Sequence, residues 1–326
     1  MRAMIPVAGQ GTRLRPHTHT TPKVLLYVAG KPILGHILDQ LVDLGVTEVV
    51  MVIGYRGEMI EEYVKENYDF KATFVEQEEL LGLGHAIGIT KDAVREGPAL
   101  IILGDTIFKA DLSSVFDSQE VLIGLKSVSD PTRFGIAEHE GDRITALVEK
   151  PDEPSSNLAL VGIYYFPDSA PLYTALDRLM QEEKKTKGEF QLTDALQILL
   201  EQGVTMKTLE VDRWLDCGKP ETLLATNREL LTDNSEHPEI PGTIVIDPVY
   251  IDETATVIDS IIGPYVSIAR DSHVERALLH DTIVNQGSNV VGVALEKSII
   301  GESASVVGRL TRLNVGDSSE VEFTSS

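Results

Sequence analysis

Along the chain, apolar and polar positions first alternate between the rhythm of strands and that of helices. Met4 to Ala8 is a short apolar run followed at once by Gly9-Gln10-Gly11-Thr12, which predicts a buried strand running into a tight loop. Pro32 opens a helix where its missing N–H costs nothing. Ile33, Leu34, Ile37, Leu38, Leu41 and Val42 give that helix one apolar face, and Gly45 ends it. Glu48–Ile53 is nearly all apolar, as a strand covered on both faces would be. The alternation predicts helices near residues 58–66 and 83–96, and strands near 72–76 and 99–103. Repeated βαβ units imply a mostly parallel sheet with helices on both faces. Gly9, Gln77 and Asp105 all fall just past strand ends, where ligands lie in such sheets.

The middle is richer in strands, near residues 121–127, 136–138, 144–149, 159–166 and 205–211. Helices near 169–182, 192–202 and 221–231 complete an α/β domain over residues 1–233. Residues 234–242, rich in Asp, Asn, Ser and Pro, read as a linker. In residues 243–326 the pattern changes. Ile262, Ile268 and Val274 stand six apart, as do Ile300 and Val306, and Ser260-Ile261-Ile262-Gly263 returns as Ser298-Ile299-Ile300-Gly301. A six-residue period predicts a small parallel β-helix of few coils.

Charge is distributed unevenly. The chain carries 51 acidic against 28 basic residues, a net charge of −23, yet residues 1–38 contain no Asp or Glu. Arg2, Arg13, Arg15, Lys23 and Lys31 lie in that stretch instead. A locally positive pocket on so acidic a protein suits an anionic substrate, and a glycine loop after a strand can wrap an anion with backbone N–H groups. No Gly-Lys-Ser/Thr closes the loop, so it is not a P-loop, and no third glycine completes the dinucleotide fingerprint. An Arg and a Lys beside the loop fit a triphosphate whose charge must be neutralised during phosphoryl or nucleotidyl transfer. The acids are spread from Asp39 onward, as in adaptation to high salt or an acidic partner surface. This balance argues against nucleic-acid binding. No apolar run reaches membrane-spanning length, and the N-terminus lacks a signal-peptide pattern. The single cysteine, Cys217, excludes an internal disulfide framework and fits a reducing cytoplasm, where it reads as packed and inert.

The run Gly9-Gln10-Gly11-Thr12-Arg13-Leu14-Arg15-Pro16, with Pro22-Lys23 and Gly30-Lys31-Pro32, resembles the signature of the sugar-1-phosphate nucleotidyltransferases. The resemblance continues in order through Gln77 with Gly82-Leu83-Gly84-His85-Ala86, Gly104-Asp105, Phe134-Gly135, Glu149-Lys150-Pro151, Gly188 to Asp194 and Trp214-Leu215-Asp216-Cys217-Gly218. It implies transfer of a nucleoside monophosphate from dTTP or UTP to a hexose 1-phosphate, with glucose 1-phosphate expected and pyrophosphate leaving in line. It also implies Mg²⁺ held by Asp105 and Asp216, and Arg13 and Lys23 on the triphosphate. Ala8, Gly9, Gln10, Gly11, Thr12, Arg13, Gln77, Gly82 and Asp105 are the implied nucleotide site. Gly135, Glu149, Lys150, Leu160 and Gly162 are the implied sugar-phosphate site. The repeats resemble the left-handed β-helix attached to several such enzymes, with a structural or homo-oligomer-forming role.

Three positions depart from the family pattern: Gly84 where alanine is common, Val24 where the short thymidylyltransferases carry Gln, and Thr106 where Asn is common. His17 and His19 have metal-like spacing, but a loop between two prolines explains them. Two rival readings are a silent subunit that senses sugar nucleotides and a bifunctional enzyme whose β-helix, carrying His273 and His280, transfers acetyl groups.

Overall fold

The computed structural model describes residues 2–94, 96–233 and 238–309, in two compact units, 1–229 and 230–326. The first is built on a nine-stranded mixed sheet. Its order is Lys71–Glu76, Glu48–Ile53, Arg2–Pro6, Ala99–Ile102, Leu158–Phe166, Val121–Ser127, Met206–Glu210, Arg143–Glu149 and Gly135–Glu140. The first four strands are parallel, with Met4 paired to Val50 on one side and Ile101 on the other. Beyond Ala99–Ile102 the pairing turns largely antiparallel, through Leu158–Phe166 and the Arg143–Glu149/Gly135–Glu140 hairpin.

Alternation along the first strand explains the layers. Met4 packs in one core with Ile87, Leu172, Leu176, Leu196 and Leu199, from helices Leu83–Gly88, Ala170–Gln181 and Leu192–Glu201. Ala3 and Ile5 point to the opposite face and are equally inaccessible, so both faces of the sheet are covered. Truncating one such residue, as in Leu196→Ala, would cost about 2–5 kcal/mol by leaving a cavity.

Two elements differ from the sequence reading in extent. The first strand is Arg2–Pro6, two residues earlier than the apolar run suggests. The helix expected near 83–96 breaks into Leu83–Gly88 and Lys91–Val94, because the Thr90 hydroxyl bonds the Ile87 carbonyl and the Tyr173 hydroxyl, each at 2.7 Å. In helix Ile33–Asp43 the apolar face is buried except for Val42, 52% exposed at the margin of the stripe. A short two-stranded ribbon, absent from the sequence reading, joins Thr106–Lys109 to Arg213–Asp216.

The second unit is a parallel β-helix of three four-stranded sheets, as expected of the left-handed form. Its interior is a column of Val249, Ile262, Ile268, Val274, Leu279, Val284 and Val290. Six-residue steps hold from Ile262 to Ile268 to Val274, but the interior column then continues through Leu279 and Val284 in steps of five. Coils therefore shorten from seventeen residues to sixteen, as Ile244 pairs with Ile261 and Leu278 with Ala294. The two Ser-Ile-Ile-Gly copies lie on different sheets, since Ile261 pairs with Leu278 and Ile299 with Ile283. Outside, Ile244, Ile261 and Leu278 stack in register as an exposed apolar row. The linker residues 234–237 and the chain after 309 lie outside the described residues. No described helix is long and apolar enough to cross a membrane.

Candidate active site

The carboxyl ends of the parallel strands open into a cavity of about 410 Å³. Ala8, Gly9, Gly11, Thr12, Arg13, Lys23, Gln77, Gly82 and Asp105 line it, together with Leu80, Leu83, Leu103 and Glu189. Of the expected nucleotide residues only Gln10 stands apart, exposed and off the lining.

Local geometry shows why the loop needs glycine. Gly11 has φ +61°, and a Cβ there would lie 2.8 Å from the Cβ of Lys23. The Thr18 hydroxyl donates to the Gly11 carbonyl at 2.9 Å, folding the Pro16–Pro22 segment back onto the loop. Lys23, 8% exposed, is thereby pressed beside the loop and donates to Asp105 Oδ2 at 2.7 Å. Burial alone would raise the Asp105 pKa. The Lys23 charge and hydrogen bond, with one from Thr106, outweigh it and hold the carboxyl below its ordinary value. Of the Asp105 side chain 44% is open, so it can meet a ligand in the cavity.

On the far side, Gly82 has φ +109° and its missing Cβ would meet the Phe190 carbonyl oxygen at 2.6 Å. The Phe190 segment clamps this loop: Gly84 N–H donates to the Phe190 carbonyl and Phe190 N–H to the Leu81 carbonyl, both at 2.8 Å. Gln77 N–H donates to the Ile53 carbonyl at 2.8 Å, which fixes the side chain at the strand end.

The ribbon brings Asp216 to Asp105. Asp216 pairs with Thr106 across it, and Cys217 N–H reaches the Asp105 carbonyl at 3.4 Å. Asp216 itself lines a second cavity of about 500 Å³ with Phe134, Trp214, Arg133 and Lys126. The Phe134 and Trp214 rings meet edge to face, centroids 4.8 Å apart. No described cluster of three or more His, Cys, Asp or Glu forms a metal cage. Asp105 opens on the first cavity and Asp216 on the second, and carboxylates are hard oxygen donors of the kind a divalent cation takes. His17 and His19 sit on one short turn between the prolines. Cys217 is buried and its thiol is pushed up to about 12, chiefly by burial, so it is no nucleophile.

The expected sugar-phosphate residues do not line the first cavity. They occupy neighbouring strands: Gly135 pairs with Glu149, Leu160 with Leu125, and Gly162 accepts from Leu103 N–H at 2.9 Å. The Glu149 side chain is 8% exposed, takes a hydrogen bond from Thr193 at 2.7 Å and pairs with Lys150 at 3.0 Å. Lys150 N–H donates to the Phe134 carbonyl at 3.1 Å, which ties this group to the second cavity. Sequence reasoning missed Glu189, Thr193 and the Phe134–Trp214 pair as site residues, although all four lie in the quoted motifs. In the β-helix His273 and His280 each face a carboxylate, Glu275 at 3.2 Å and Glu296 at 3.4 Å.

A strand-end cavity with a glycine loop, a buried lysine paired to a partly open aspartate and a second carboxylate on the adjoining strand end defines a phosphate-handling α/β enzyme. The chain belongs to the nucleotidyl transferase family, which it matches over residues 2–233. It is 34% identical to the low-salt glycan biosynthesis nucleotidyltransferase Agl11 of Haloferax volcanii, over 99% of this chain and 100% of that one. It is 31% identical to a glucose-1-phosphate thymidylyltransferase of Streptomyces antibioticus, over the whole of both chains. The UTP–glucose-1-phosphate uridylyltransferase AglF of Haloferax volcanii is 34% identical over 73% of this chain and 100% of its own.

Proposed function

We propose that this protein joins dTTP or UTP to a hexose 1-phosphate, glucose 1-phosphate foremost, giving a nucleotide sugar and pyrophosphate. The observation that carries the reading is the convergence of the Gly9–Arg13 loop, Lys23 and Asp105 on one cavity, with Asp216 on the adjoining strand end. Relatives named for thymidylyl and uridylyl transfer to glucose 1-phosphate supply the substrates.

In this reading the loop N–H groups and Arg13 hold the β- and γ-phosphates and stabilise charge on the departing pyrophosphate. Lys23 serves the α-phosphate, where the sugar phosphate attacks. Asp105 and Asp216 hold Mg²⁺, which when bound neutralises the phosphate oxygens. Gln77 and Gly82 take the base. Lys150 holds the sugar phosphate and Glu149 the sugar hydroxyls, with Gly135, Leu160 and Gly162 shaping that subsite. Positioning and charge neutralisation do most of the chemical work. The β-helix is assigned to assembly of a homo-oligomer, and the enzyme to the cytoplasm. The presence of Arg13, Lys23, Asp105 and Asp216 together disfavours a silent sensor subunit.

Pyrophosphate release, measured for dTTP, UTP, CTP, ATP and GTP against several hexose 1-phosphates with Mg²⁺, tests this. Release with dTTP or UTP and glucose 1-phosphate is expected. No release from any pair would overturn the reading.

A further inference from the structure

Gln77 is 6% exposed and lines the first cavity. Its side-chain nitrogen lies 3.3 Å from the Gly82 carbonyl oxygen and 3.0 Å from His85 Nδ1. A carbonyl oxygen can only accept, so the Gln77 atom facing it must be the amide NH₂. That same nitrogen faces His85, so Nδ1 accepts and the ring proton sits on Nε2. The neutral ring this requires is favoured by burial, which lowers the His85 pKa against an opposing pull from Glu79. His85 stands on helix Leu83–Gly88, whose start is pinned by the Gly84–Phe190 hydrogen bond, so the imidazole is held in place. Among the described residues Gln77 Oε1 accepts no hydrogen bond, yet it is not sealed from solvent; it is the polar atom Gln77 has left for the cavity.

We infer that His85 is a positioning residue that locks the Gln77 amide with its oxygen toward the nucleotide, so that the site selects a base presenting a ring N–H. Uracil and thymine present one at N3, whereas cytosine presents a lone pair there. The amide NH₂ has one hydrogen for each acceptor, the Gly82 carbonyl and His85 Nδ1, so His85 doubles the lock. Without it the amide turns more freely, and its NH₂ can face the base. This inference rests on the assignment of the cavity to a pyrimidine nucleotide. It adds the polarity of the contact and a side chain that holds it.

The test is steady-state kinetics of the full chain with dTTP, UTP and CTP, each with glucose 1-phosphate, for wild type and for His85→Leu, His85→Ala and His85→Asn. Leu and Ala remove the acceptor, while Asn offers Oδ1 near the place of Nδ1. Leu and Ala should raise KM for dTTP or UTP roughly tenfold and narrow the preference over CTP by a similar factor. KM for glucose 1-phosphate should stay within about twofold, and Asn should restore both quantities. Unchanged KM and preference in the folded Leu or Ala variant, or Asn behaving like Leu, would overturn the inference while leaving the function intact. A wild type that uses neither dTTP nor UTP would overturn the pyrimidine reading, and this inference with it.

Discussion

Lys23 Nζ lies 2.7 Å from Asp105 Oδ2, across 82 residues of sequence. The two motifs that the sequence assigns to phosphate and to metal are thus one ion pair at the floor of one cavity. Each fixes the other's side chain, so neither has to be ordered separately when charge arrives.

Lys23→Met should therefore reduce turnover by about 10²–10³-fold, the range for losing one preorganised charge stabiliser. Because Asp105 remains 44% open to solvent, the stability cost should be small, about 1 kcal/mol or less. Turnover and thermal melting measured together check this; a large loss of melting temperature would make the pair structural.

Arg13→Ala and Lys150→Ala should separate kinetically. Arg13 lines the first cavity and is proposed to meet charge on the leaving group, so its loss should mainly lower kcat. Lys150 lies beside Glu149, away from that cavity, so its loss should raise KM for glucose 1-phosphate more than for the nucleotide. Interchanged profiles would refute both assignments.

Acid should destabilise the catalytic unit through His36. Burial lowers its pKa to about 4, against the hydrogen bond between its Nε2 and the Val28 carbonyl. The unfolded chain takes up this proton near pH 6.5, before the folded one can. Stability should thus be unaffected above about pH 6.5 and fall steadily from there toward about pH 4, by up to about 3 kcal/mol. Denaturant melts of His36→Gln should show a shallower slope over that window; an unchanged slope would remove His36 from the account.

Much of this was legible in the sequence, for physical reasons that differ by region. Short, nearly apolar runs rich in β-branched residues, such as Glu48–Ile53, fit strands covered on both sides, and the helix Ile33–Asp43 announced itself by spacing. The ribbon was not legible, because Thr106–Lys109 and Arg213–Asp216 are four residues each and acquire strand form only by pairing with a distant partner. For the same reason Asp216 could be named from its motif but not located beside Asp105. In the β-helix, residues in the left-handed region such as Asp259, Arg276, Asp281 and Lys297 turn corners without glycine. They allow five-residue steps that a strict six-residue period hides.

If the proposed assembly role holds, the exposed row Ile244, Ile261 and Leu278 is the apolar surface it should cover. A chain ending near Glu239 should keep a folded catalytic unit but lose oligomeric order or thermal stability. Light scattering and melting curves decide; unchanged mass and stability would end the assembly role.

In the proposed reaction Asp105 and Asp216, whose backbones the ribbon brings together, act on one divalent ion. That claim is tested most directly by pyrophosphate release as a function of Mg²⁺ for wild type, Asp105→Asn, Asp216→Asn and the double variant. Each single change should cut turnover by about 10²-fold or more, and the double should be little worse than either, since residues acting as a unit are not additive. Near-normal turnover by either single variant at ordinary Mg²⁺, or a double variant whose losses multiply, would contradict it.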